Sequence, residues 1–182
     1  MHTVNSQKGV TLIELIVTIA VLAILVALAT PSLKDFAERQ AIKGAAENIV
    51  SVIAQAKEEA VKRDKPVRVE FTAWGEGVCA GAIEGSTTAC DCSNNTCPLV
   101  SSAESERDLK RIRLGSAPAF GGSSFFVIDP KTGTLLDPGA AGSLELTTQG
   151  GYTVQISVNA VARPSICVPS GDKVLPGVQP CA

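Results

Sequence analysis

Three sets of residues could carry chemistry: six cysteines, one carboxylate set inside an apolar run, and a short basic cluster. The cysteines are Cys79, Cys90, Cys92, Cys97, Cys167 and Cys181. Cys90-Asp91-Cys92 with Cys97 has the density of a metal site. It lacks a repeated Cys-x-x-Cys pair, and the single histidine, His2, lies at the start of the chain. A redox enzyme would want Cys-x-x-Cys at a helix start, and none occurs. An even cysteine count downstream of an export-type segment points instead to disulfides in an oxidising compartment. Cys79, Cys90, Cys92 and Cys97 allow three pairings. Cys90 and Cys92 are expected to take different partners, which favours Cys79 and Cys97 each bonding into that pair. Cys167 and Cys181 are then left to close the C-terminal segment. No motif for hydrolysis, nucleotide binding or metal chemistry is present, so neither catalysis nor a cofactor nor a metal is expected.

The carboxylate is Glu14. From Val10 to Ala29 it is the only charge. That run has the roughly 20 residues a helix needs to cross the hydrocarbon of a bilayer. A carboxylate facing lipid costs about 2.5 kcal/mol or more, so Glu14 calls for a reason. Either it sits close enough to the interface to be tolerated, or a partner within an assembly neutralises it. The basic cluster is Arg107, Lys110, Arg111 and Arg113. Acidic residues stand just before it, which favours a solvated edge over a phosphate-contacting patch. The formal net charge of −2 gives no bulk electrostatic case for nucleic acid.

The elements that must position these residues follow from periodicity. Leu33, Phe36, Ile42, Ala45, Ala46, Ile49, Val52, Ile53, Ala56 and Ala60 recur at three- and four-residue steps, which predicts one helix face over residues 32–65. Pro31 removes a backbone donor and predicts a kink; Asp64-Lys65-Pro66 predicts the stop. Alternation predicts strands at Val67–Phe71, Ser124–Ile128, Ser143–Thr147 and Tyr152–Val158, with Leu135-Leu136 as a further short one and Gly150-Gly151 as a tight turn. Residues 75–106 read as loop, Arg107–Leu114 as a short amphipathic strand or turn, and the proline-rich tail after Arg163 as irregular. Trp74 is expected to be a core anchor. One long helix followed by a run of strands predicts an α+β domain, with antiparallel strands on the helix's apolar stripe.

Lys8-Gly9-Val10-Thr11-Leu12-Ile13-Glu14-Leu15 resembles the processing site of type IV prepilins. The resemblance implies a leader at residues 1–9, cut after Gly9 by a membrane aspartyl prepilin peptidase. N-methylation of Val10 would follow. It further implies a membrane and assembly helix at residues 10–31 kinked at Pro31, and a periplasmic pilin-like domain at residues 32–182, β-rich from residue 66. The family's assembly glutamate is the fifth residue of the mature chain, where Glu14 falls. A carboxylate one helical turn from a newly freed amine can pair with the amine of a neighbouring subunit. His2 would leave with the leader, which excludes a Ser-His-Asp triad.

Residues 55–67, Gln-Ala-Lys-Glu-Glu-Ala-Val-Lys-Arg-Asp-Lys-Pro-Val, resemble the helix end of the GspH/FimT group of minor pilins and pseudopilins. That implies a structural minor pilin, embedded in the bacterial inner membrane and then in a filament beside other pilins. A pseudopilin of a type II secretion system is the alternative. So is a DNA-binding pilin serving natural transformation, because some members carry Gly-Arg-x-Arg after the last core strand. Here Ala162-Arg163-Pro164-Ser165 keeps only one of the two arginines. Arg163, with Arg107, Lys110, Arg111 and Arg113, is what remains for DNA contact.

Overall fold

A computed structural model of the protein describes residues 11–74, 77–101 and 112–181, without the side chains at 28–32, 74 and 77. Gly9, Val10, the Pro31 and Trp74 side chains, and Arg107, Lys110 and Arg111 lie outside the described residues. The chain forms two compact units, Met1–Ala37 and Glu38–Ala182.

Helix α1 spans Leu12–Arg63 and is assigned without interruption through Pro31. Thr11 caps its start: the Glu14 N–H donates to Thr11 Oγ1 at 3.3 Å, and the Leu15 N–H to the Thr11 carbonyl at 3.1 Å. Its end comes two residues earlier than residue 65. Asp64 turns left-handed at φ 51°, Lys65 N–H reaches back to Ala60 O, and Asp64 N–H to Val61 O. This double return satisfies the last carbonyls before Pro66.

In the first unit the described side chains at 11–27 are all exposed, and so are Leu33 and Phe36. Those two therefore do not share the stripe that packs on the domain. That stripe begins at Ile42 and continues through Ala45, Ala46, Ile49, Val52, Ile53, Ala56 and Ala60, all buried. The alanines let the sheets approach, and the isoleucines fill the space between.

The second unit has two sheets instead of one. Strands β1 (Val67–Trp74), β2 (Gly77–Glu84), β3 (Val100–Ser101) and β5 (Phe125–Ile128) form the first, in the order β3-β2-β1-β5. The second, β4-β6-β7-β8-β9, uses β4 (Ile112–Phe120), β6 (Gly142–Thr148), β7 (Thr153–Val158), β8 (Pro164–Val168) and β9 (Gln179–Pro180). All pairings are antiparallel except β8 with β9. Inward residues of both sheets join the helix stripe in one core, including Val67, Val69, Phe126, Leu144, Leu146, Val154 and Ile156. Phe71, Phe120 and Phe126 meet there with ring centroids 5.0–6.0 Å apart.

Four strands correct the sequence reading; two of them are two-residue pieces, β3 in the expected loop and β9 in the expected irregular tail. β2 lies where loop was expected, because Val78, Cys79, Ala80 and Ala82 are buried on both of its faces and show no alternation. β8 lies in the tail expected to be irregular; Pro164 opens it, a position where a strand tolerates the missing N–H. Leu135 makes only an isolated bridge to Ile128.

Candidate functional site

The first turn of α1 places Glu14 on a helix that is apolar on every side. Ile13 is 68% exposed, Ile19 57% and Leu22 64%, and no described face is covered. An all-round apolar helix in an isolated chain is one that is buried elsewhere, in lipid or among other helices. Among the described residues no helix is long and apolar enough to cross a membrane. The ends of the apolar run, Val10 and the side chains from residue 28, lie outside them. The Thr11 cap uses the backbone N–H of Glu14, not its carboxylate. Thr11-x-x-Glu14 is a helix-start signal in its own right, beside the membrane and assembly roles the sequence suggests for Glu14. A carboxylate in the first turn also lies at the positive end of the helix dipole.

Where α1 enters the second unit, polar contacts fix it to the domain. The Glu38 carboxylate accepts the Gly150 N–H at 2.8 Å, and a Cβ at Gly150 would overlap that carboxylate. Arg39 Nε donates to the Tyr152 hydroxyl at 2.9 Å. The β6–β7 turn thus holds the helix against rotation about its own axis.

All six cysteines are paired: Cys79–Cys92, Cys90–Cys97 and Cys167–Cys181. Among the described residues no group of side chains could hold a metal. The first two bonds pin residues 85–99 over β2. Gly81 is needed there, since a Cβ would overlap Cys97 Sγ. Glu70, bidentate with Arg68, also accepts the Cys90 N–H at 3.1 Å. Asp91 accepts from the Ser93 hydroxyl and from Asn94 at 2.6 Å each. The Ser93 hydroxyl bond is the main cause of an Asp91 pKa below the usual carboxylate value; desolvation opposes it. Glu59, near the end of α1, is likewise lowered, first by its bond to Arg63.

Of the basic candidates, the two described ones, Arg113 and Arg163, do not converge. Arg113 and Arg163 are both exposed. Arg113 sits opposite Thr147, and Thr147 opposite Thr153 at the start of β7, whereas Pro164, next to Arg163, faces Val158 at its end. Strand rise and spacing put the two arginines on the order of 20 Å apart.

The family model for the type II transport protein GspH matches residues 45–162, more than half of the chain. The prokaryotic N-terminal methylation motif matches residues 4–30. Neither the curated proteins nor the solved structures hold a significant match.

Proposed function

The chain belongs to the type II transport protein GspH family and carries a prokaryotic N-terminal methylation motif, and from that premise we propose that it is a minor structural subunit of a type IV pilus. The prepilin peptidase cuts between Gly9 and Val10 and Val10 is methylated. The helix at residues 10–31 holds the subunit in the inner membrane, with the second unit in the periplasm, until it passes into a filament beside other pilins. The observation that carries this reading is the pairing of an uncovered apolar helix with a lone carboxylate in its first turn. Lipid can cover the apolar residues, but a carboxylate gains from leaving lipid for a site beside a cation. The amine freed on Val10 of a neighbouring subunit is such a cation. Glu14 then sets register between subunits more than it adds stability.

The test compares the full-length parent with Glu14→Ala in cells that hold the filament machinery. Both chains should insert and be cleaved alike, and the variant should be about tenfold or more depleted from sheared filaments. Equal incorporation overturns the role of Glu14. Membership of a type II transport protein family also favours a second setting, the pseudopilus of a type II secretion system. Deleting one system's assembly ATPase at a time separates the two, since the subunit should leave filaments only with its own motor.

A further inference from the structure

The segment after β8 is held by few contacts of its own. Residues 169–181 turn away from β8 and return along its open edge as β9, with Cys167 opposite Gln179 and Val168 opposite Pro180. Only Leu175 of this segment is fully buried, and Val178 partly; most of the rest is exposed. Lys173 Nζ donates to the Gly150 carbonyl at 2.6 Å, Lys43 Nζ donates to the Pro176 carbonyl, and Cys181 N–H donates to Val168 O at 2.9 Å. Beneath the segment lies a cleft of about 180 Å³ between Lys43 and Glu47 of α1, Val154 and Ile166 of the sheet, and Gly177 to Gln179 of the segment itself. The segment is therefore a strap across a groove between the helix and the edge of the second sheet.

The disulfides differ in access. Cys79, Cys90, Cys92 and Cys97 are buried, at 0–6% exposure, whereas Cys167 and Cys181 are both only half-buried. A reductant in water meets the strap's bond first, because exchange needs a thiolate to reach a sulfur. We propose that Cys167–Cys181 is a separately reducible lock, and that opening it frees residues 169–181 and bares the β8 edge and the groove. The step is a two-electron exchange with a dithiol. One thiolate of the reductant attacks one sulfur, the other cysteine leaves as a thiolate and takes a proton, and the second reductant thiol closes on the mixed disulfide. The products are two cysteine thiols and the oxidised, cyclic reductant. The lock decides because one buried leucine, a few exposed hydrogen bonds and the Lys173 ammonium 5.1 Å from the Tyr152 ring centre must otherwise order the whole strap.

The experiment titrates the full chain in detergent with dithiothreitol, alkylates the freed thiols and maps them by mass spectrometry. Amide exchange at residues 165–168 and trypsin cleavage after Lys173 are followed alongside. Cys167 and Cys181 should be alkylated at about tenfold less reductant than the other four, with exchange and cleavage rising about tenfold in step. Cys181→Ser should show the same opening without reductant. The proposal is overturned if the three bonds reduce together, or if β8 and Lys173 stay as protected in Cys181→Ser as in the parent. Should exchange in that variant rise across β1 and β6 as well, the partly reduced parent decides by the same two readouts. None of these outcomes depends on which filament the subunit enters.

Discussion

Glu14, Arg163 and Asp91 carry charges whose consequences can be separated. Glu14 serves the helix start through its backbone N–H; on the proposed reading its carboxylate meets a neighbour's amine, so its removal should affect assembly and spare folding. Arg163, just before β8, lies about 20 Å from Arg113, the other described candidate. One cation gives weak, unspecific attraction to phosphate, so a gel-shift with duplex DNA should show no salt-resistant binding that Arg163→Ala removes. Binding lost in that variant would favour the transformation alternative. Asp91 gives a pH dependence. Its folded pKa is depressed, so its contribution is present above the ordinary carboxylate pKa and is lost as pH falls through the lower folded value. Amide exchange of residues 91–96 should thus be flat from neutral pH to about pH 5 and quicken, after correction for intrinsic rates, only in stronger acid. An Asp91→Asn chain should lack that acid limb.

Helix α1 was the most legible element, because eight apolar residues at helical spacing all turn out to be buried. Ile53 lies at the centre of that stripe at 0% exposure, and Ile53→Ala should cost about 2–5 kcal/mol in a reversible unfolding measurement. Leu33 and Phe36 share the period but belong to the first unit, where periodicity alone could not exclude them. β2 was illegible for a different reason. Its composition is mostly small and apolar, with one face on the core and the other under the disulfide-tied loop, so no alternation marks it and Val78 and Ile83 are its only β-branched residues. Gly81 is the residue that permits this double cover. Gly81→Ala should destabilise the fold by the roughly 1–3 kcal/mol that overpacking costs, read as a lower melting temperature, and reduction of the loop's disulfides should relieve part of it. β8 was hidden by the proline that opens it, which reads as a breaker unless its place as the strand's first residue is known.

As a whole molecule the chain joins a helix that cannot stay bare in water to a small α+β unit tied by three disulfides. The cysteine spacing pointed to bonds in the loop and in the tail, and the pairs fall there. The division into two sheets was not readable, because strand order depends on contacts between residues far apart in the chain. The central claim is that maturation turns an apolar anchor into an assembly element by freeing an amine beside a carboxylate. Intact-mass and N-terminal peptide measurement on the native protein, from cells that contain the maturation protease, tests this most directly. The account predicts a chain that begins at N-methylated Val10; a chain still carrying residues 1–9 would contradict it.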